Sequence, residues 1–174
     1  MFAPISQVAV APSVIAVPNS LNVSTMRQFI DLIKANPNKY SYGSSGVGST
    51  GHIASANFLQ RTGTEATHVP YRGGAPLVND LLGGQVQLAF ADVSMVGPSI
   101  RSGKLKAIAI GAQRRFEGLP DVPTFEESYP GFYNIYGWFG YLGPAGLPRA
   151  IAERISQETR KAASDPQVLA QLEA

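Results

Sequence analysis

Apolar residues recur along this chain at two alternating spacings. Residues 14–17 are a short unbroken apolar run, closed by Pro18, Asn19 and Ser20, which predicts a buried strand. Met26, Phe29, Ile30 and Ile33 then stand at i, i+3, i+4 and i+7, the spacing of an amphipathic helix that Ser24 can cap and Asn36 with Pro37 can stop. Residues 40–43 predict a second strand. Ile53, Ala54, Phe58 and Leu59 share one side of the helix after it, which runs to Gln60 before Gly63 breaks it. Residues 66–69 are a third strand, and Leu77, Val78, Leu81 and Leu82 mark a helix opened by Pro76 and ended by Gly83 and Gly84. Residues 85–90 and 106–110 predict a fourth and a fifth strand. Between them, residues 91–94 read as a loop and residues 98–100 as one helical turn.

Beyond Ile110 the punctuation changes. Residues 111–132 are irregular, with Pro120, Pro123 and Pro130 spaced through them. Tyr133, Tyr136, Trp138, Phe139 and Tyr141 fall in a strand-type run ending at Leu142, followed by a turn over residues 143–146. Pro148 opens a helix through Ile151, Ala152 and Ile155 to about Ala163. Asp165 and Pro166 start a last one carrying Val168, Leu169 and Leu172. The residues before Val14 read as a loop-like tail. Strand and helix in repetition predict an α/β fold, a mostly parallel sheet with helices on both faces. Such sheets bind ligands beyond the carboxyl ends of their strands. Here the second, third and fourth strands all run out into Gly, Ser or Asp.

Composition narrows the chemistry. Apolar content of 44% and charged content of 15% describe a folded protein rather than a disordered one. Fourteen Lys and Arg against twelve Asp and Glu leave +2, too balanced and too scattered for a nucleic-acid surface. The absence of cysteine excludes disulfides, thiolate metal sites and a cysteine nucleophile. The first residues lack a basic stretch and are interrupted by Pro4 and Pro12, a poor signal peptide, and residues 14–17 are too short to span a bilayer.

The candidate chemistry centres on residues 43–50. Ser44, Ser45, Ser49 and Thr50 offer hydroxyls, while Gly46 and Gly48 bring backbone N–H groups to the start of a helix, a cradle for an anion that needs no basic side chain. The same residues serve equally well as caps and turn formers. Tyr71, Arg72, Gly73, Gly74 and Ala75 make a second such turn, where Arg72 can fork onto a carboxylate or stand in solvent. Asp92 can accept from a ligand hydroxyl or amine, or cap the turn at Ser94. Gly46, Gly48 and Gly51 also satisfy the dinucleotide pattern G-x-G-x-x-G, with Arg72 placed to meet a 2′-phosphate, so an NADP-linked oxidoreductase fragment is an alternative. A Walker loop is excluded because no lysine follows Gly48. Ser45, His52 and Asp92 can be drawn as a triad, but no G-x-S-x-G elbow accompanies them. Two histidines without clustered carboxylates argue against a metal.

The blocks YSYGSSGVGSTGH, THVPYRGGAP, LLGGQVQLAF, SGKLKAIAI, LPDVPTFEESYPGF, WFGYLGPAGLP and ASDPQV, in this order, resemble the extracytoplasmic solute receptors of tripartite tricarboxylate transporters, the Bug or TctC family. The resemblance runs from Phe2 to the chain end. It implies a two-lobed periplasmic receptor of the type II periplasmic-binding-protein class, with no enzymatic step and no cofactor. Such a receptor closes on a small carboxylate, be it a di- or tricarboxylate, an acidic amino acid or an aromatic acid, and delivers it to a membrane permease. It also implies that Ser44, Ser45, Gly46, Gly48, Ser49, Thr50, Tyr71, Arg72, Gly73, Gly74, Ala75 and Asp92 lie on ligand-facing loops. Members of the family often carry the aspartate one position earlier, or lysine where Arg72 stands. By the same resemblance, residues 1–12 are a remnant of the first lobe or its crossover, 13–138 the complete second lobe, and 139–174 part of the first. The chain then looks cut at both ends. A folded remnant without ligand is a further alternative, and apolar residues such as Phe139, Leu142, Ile151 and Ile155, left without partners, predict self-association.

Overall fold

The computed structural model describes residues 1–132 and 136–173, the last three as backbone alone, so the predicted strand start at Tyr133 and the side chain of Leu172 lie outside what is described. In chain order the elements are β1 (Phe2–Ala11), β2 (Ser13–Pro18), a 3-10 turn (Asn19–Leu21), α1 (Met26–Lys34), β3 (Ser41–Ser44), α2 (Thr50–Thr62), β4 (Thr67–Pro70), α3 (Gly74–Leu82), β5 (Leu88–Asp92), α4 (Val93–Arg101), β6 (Leu105–Ile110), α5 (Phe125–Ser128), β7 (Gly137–Pro144), α6 (Arg149–Ala163) and α7 (Pro166–Glu173). They fall into two compact units: Pro12–Gly137, and Met1–Ala11 with Trp138–Ala174.

The larger unit is a five-stranded sheet in the order β4-β3-β5-β2-β6. β3 runs parallel to β4, with Ser44 opposite Pro70, and parallel to β5, with Gly43 opposite Ala89. β2 runs antiparallel to both β5 and β6. The α/β architecture is as expected, but the sheet is mixed rather than mostly parallel. The run Val14, Ile15, Ala16 and Val17 is buried on both faces and so carries no signal of its direction.

Each face of the sheet is covered by helices. Ile15, Val17, Leu88 and Phe90 meet α1 and α2 through Phe29, Ile30, Ile33, Phe58 and Leu59. Val14, Ala16, Ala89 and Ala91 meet α3 and α4 through Leu77, Leu81, Val93 and Val96. Phe58 is fully buried, with its ring 6.0 Å from Phe29, 5.7 Å from Phe90 and 5.9 Å from Phe132. It therefore ties α2 to the sheet and to the segment after α5.

Local chemistry explains where several elements differ from expectation. The cap of α1 is Thr25 rather than Ser24: Thr25 Oγ1 accepts from the Gln28 N–H at 3.2 Å, while Gln28 Oε1 accepts from the Ser24 N–H at 2.9 Å. Gln85 to Gln87 are not in β5, because the Gln87 side chain takes over the ladder by accepting from the Ser41 N–H at 3.0 Å. Residues 91–94 are not a loop: β5 continues to Asp92 and α4 follows at once, with Pro98 in its second turn unable to donate back along the helix. Residues 125–128, read as irregular, are α5, held by a capping box between Thr124 and Glu127.

The smaller unit pairs β1 with β7 in a two-stranded sheet, with α6 packed on β1. The expected N-terminal tail is thus a strand. Pro4 is tolerated because every strand of a two-stranded ribbon is an edge. Trp138, Phe139, Tyr141, Leu142, Ile151 and Ile155 stay exposed in this unit, and its open hollows are lined by Pro4, Ile5, Trp138 and Leu142 or by Pro4, Arg149 and Ser156.

Truncating the side chain that joins three parts of the core should show how the larger unit is held. Phe58→Ala is expected to lower the stability of that unit by about 3–5 kcal/mol in urea denaturation followed by far-UV circular dichroism. A loss below about 1 kcal/mol would mean that α2 is anchored elsewhere.

Candidate functional site

Three parallel-paired strands bring their carboxyl ends to one edge of the sheet, and each passes into a helix there: β3 to α2, β4 to α3 and β5 to α4. The loops touch one another. A Cβ built on Gly46 would lie 3.8 Å from the Tyr71 carbonyl oxygen, and one on Gly74 would lie 2.9 Å from Met95 Sδ in α4. The first turn of α2 presses directly on β5, since a Cβ on Gly51 would collide with the Phe90 carbonyl oxygen. No residue but glycine allows that approach.

The backbone donors at this edge divide into those already satisfied and those that are not. Tyr71 N–H bonds the Ser44 carbonyl at 2.9 Å, Ser49 N–H the Gly46 carbonyl at 3.2 Å, and Val93 N–H the Pro12 carbonyl at 3.0 Å. Gly46 N–H reaches Ser44 Oγ at 3.3 Å, His52 N–H reaches Ser49 Oγ at 3.3 Å, and Gly48 N–H reaches His52 Nδ1 at 3.0 Å. Gly48 takes a left-handed φ of 79°, which aims its amide back at that ring. Among the described residues nothing accepts from the amides of Ser45, Val47, Thr50, Gly51, Arg72, Gly73, Gly74, Ala75, Ser94 or Met95. No acidic residue stands in the first turn of α2, α3 or α4. The starts of α2 and α3 therefore keep their partial positive charge, and all three starts keep orphan donors, while α4 has the Asp92 carboxyl at its N-cap.

The predicted residues meet at this edge but differ in what they can offer. Ser45 and Arg72 are exposed, Thr50 is half-buried, and Arg72 forms no ion pair among the described residues. Ser44 is fully buried, its hydroxyl 2.7 Å from His68 Nε2. Tyr71 donates its hydroxyl to Asp80 Oδ2 at 2.7 Å; burial, and then the Asp80 carboxylate, push its pKa up to about 12. Ser49 caps α2. Asp92 lies half-buried at the tip of β5 without a side-chain cap bond, its Oδ1 2.7 Å from where Gly137 would carry a Cβ; burial raises its pKa.

The triad drawn from Ser45, His52 and Asp92 is not assembled. The serine on a histidine is Ser44, and its partner is His68. That pairing escaped the sequence because it joins β3 to β4 across 24 positions, and only the strand register, Tyr42 opposite His68, reveals it. Burial, followed by the charge of His52, holds the His68 pKa below its usual range. Among the described residues no three His, Cys, Asp or Glu are grouped to hold a metal, and no helix is long and apolar enough to cross a membrane.

An α/β lobe with three helix starts gathered at one sheet edge has the architecture of a periplasmic-binding-protein lobe, and solved periplasmic binding proteins superpose on it. The sequence profile of the tripartite tricarboxylate transporter family receptor, TctC, matches residues 1–174, and the chain belongs to that family. A UPF0065 protein from the tcbD-tcbE intergenic region of Pseudomonas sp. (strain P51) is 35% identical over 170 residues, covering 97% of this chain and 50% of that protein. R. palustris Rpa4515 with adipate matches at a TM-score of 0.93 and 29% identity, over 99% of this chain and 57% of the other. The periplasmic binding protein BugD matches at 0.93 and 28%, with the same coverage of 99% and 57%. The chain thus spans about half the length of these relatives.

The raised pKa of Asp92 has a consequence for stability. Its folded value lies above its unfolded value, so its contribution is complete at low pH and is lost as the pH rises through the folded value. Asp92→Asn should therefore raise the urea midpoint at about pH 7 and leave it unchanged at about pH 3, where both states are protonated. Equal midpoints at both pH values would show that the carboxylate is solvated.

Proposed function

We propose that the larger unit is the ligand-receiving lobe of an extracytoplasmic solute receptor whose cargo is a small organic carboxylate. A di- or tricarboxylate, an acidic amino acid and an aromatic acid all fit the site's chemistry. One observation carries the reading: unfilled amides at three neighbouring helix starts, in a chain of the receptor family. Backbone donors fixed at helix starts stabilise a carboxylate without a counter-charge, and they need no rearrangement to do so. That R. palustris Rpa4515 is solved with adipate supports the same class of cargo.

In this reading one carboxylate end sits on the amides of Ser45, Val47, Thr50 and Gly51, helped by the Ser45 and Thr50 hydroxyls. Arg72 with the amides of Gly73, Gly74 and Ala75 takes another part of the ligand, and Asp92 accepts from a donor group on it. Ser44, Gly46, Gly48, Ser49 and Tyr71 shape the loops. The receptor works in the periplasm, hands its cargo to the membrane permease of a tripartite tricarboxylate transporter, and catalyses no step.

Calorimetry with adipate tests this. The larger unit holds a ligand at one sheet edge open to water, so a dissociation constant of about 1 mM is expected. Gly51→Ala, by pushing the start of α2 off Phe90, should weaken it at least about tenfold, the loss of one charge-assisted hydrogen bond. No binding of adipate or of any mono-, di- or tricarboxylate in a thermal-shift screen would overturn the reading. Binding of NADPH instead would favour the dinucleotide alternative.

A further inference from the structure

Two imidazole rings lie beneath the cradle. His52 comes from the first turn of α2 and His68 from β4, and the rings stack with 4.0 Å between centroids and 7° between planes. Tyr42, opposite His68 on the neighbouring strand, stacks on His68 at 4.8 Å. The stack fixes the plane of His52 and leaves its Nδ1 3.0 Å from the Gly48 nitrogen. Since the amide donates, Nδ1 accepts, and the neutral ring carries its hydrogen on Nε2.

A ring protonated on Nδ1 cannot accept from an amide. Charging His52 breaks its bond to Gly48 and replaces an acceptor with a positively charged donor. The Gly48 amide and the new N–H are then two donors side by side, at an exposed position. An anionic oxygen suits both. The groups packed against His52 are these. From β4, His68 is held below the usual histidine range by burial and then by the charge of His52, and its Nε2 is engaged with Ser44 Oγ. From β3, Tyr42 is raised by burial and stays neutral as well. Among the described residues no Lys, Arg, Asp or Glu forms an ion pair with either ring.

We propose that His52 sets the state of the cradle through its proton, so that the loop holds a carboxylate more tightly as the pH falls. Neutral, His52 is a positioning residue that closes off the Gly48 amide. Protonated, it releases that amide and adds a second donor. The proposal rests on the carboxylate reading of the same loop.

The test is adipate titrated into the uniformly 15N-labelled chain at about pH 8 and about pH 6, either side of the ordinary histidine range, with the Gly48 amide and the His52 ring nitrogens as readouts. Without adipate, the Gly48 amide should shift with the His52 titration. With adipate, that titration should move to higher pH, and the affinity should be about fivefold higher at the lower pH, the scale of one charge-assisted hydrogen bond partly populated. His52→Asn, whose amide oxygen accepts from Gly48 and never charges, should bind equally at both pH values. His68→Gln should keep the dependence of the unaltered chain. Affinity that is independent of pH, that falls with acid, or that follows His68 overturns this proposal and leaves the carboxylate reading standing. No adipate binding at either pH overturns both.

Discussion

Because Ser41–Ser44 is hydrogen-bonded in parallel to Thr67–Pro70 on one side and to Leu88–Asp92 on the other, three strands deliver their carboxyl ends to the same edge. Parallel neighbours require crossover helices, and each crossover must begin at the strand end it leaves. The helix starts of α2, α3 and α4 are thereby forced together. Had β3 paired antiparallel with either neighbour, one of these starts would lie at the opposite edge, and the amides of Thr50, Gly51, Gly73 and Gly74 would not form one group. β2, the antiparallel strand, lies outside this trio and contributes core rather than site.

The site that results depends on dipoles and orphan amides more than on charges. Of the basic side chains only Arg72 belongs to its loops, and the first turns of all three helices are free of acidic residues. Donors of this kind recognise the geometry of a carboxylate while leaving the rest of the ligand to neighbouring side chains. The side chains turned inward have a supporting part. Ser44 on His68, Tyr71 on Asp80 and His52 on Gly48 fix the loop backbones and occupy amides and hydroxyls that would otherwise be orphaned.

Much of the fold was legible because its elements obey one period each. Met26, Phe29, Ile30 and Ile33 predict α1, and every one of them is buried. What was not legible depends on distant partners. Phe2–Ala11 reads as a tail because Pro4 interrupts it and its partner, Gly137–Pro144, lies at the far end of the chain. The join of β5 to α4 was hidden by Pro98, which reads as a breaker although the helix runs through it. In the site, glycine and serine marked the loops correctly, but not which serine faces inward. Strand alternation settles that: Tyr42 and Ser44 share the side of β3 that meets His68, and Ser45, beyond the strand end, is exposed. The pairing of Gly48 with His52 depends on a left-handed glycine, which leaves no trace beyond the glycine itself.

The central claim is that unfilled amides at three adjoining strand tips receive an organic acid. A crystal structure of the chain grown with adipate tests it most directly. The account predicts a carboxylate oxygen within hydrogen-bonding distance of the Thr50 and Gly51 amides, with the other end of the ligand toward Gly73 and Gly74. Adipate seated instead in the hollow lined by Pro4, Trp138 and Leu142, with the loop of Ser45 and Thr50 bare, would contradict it.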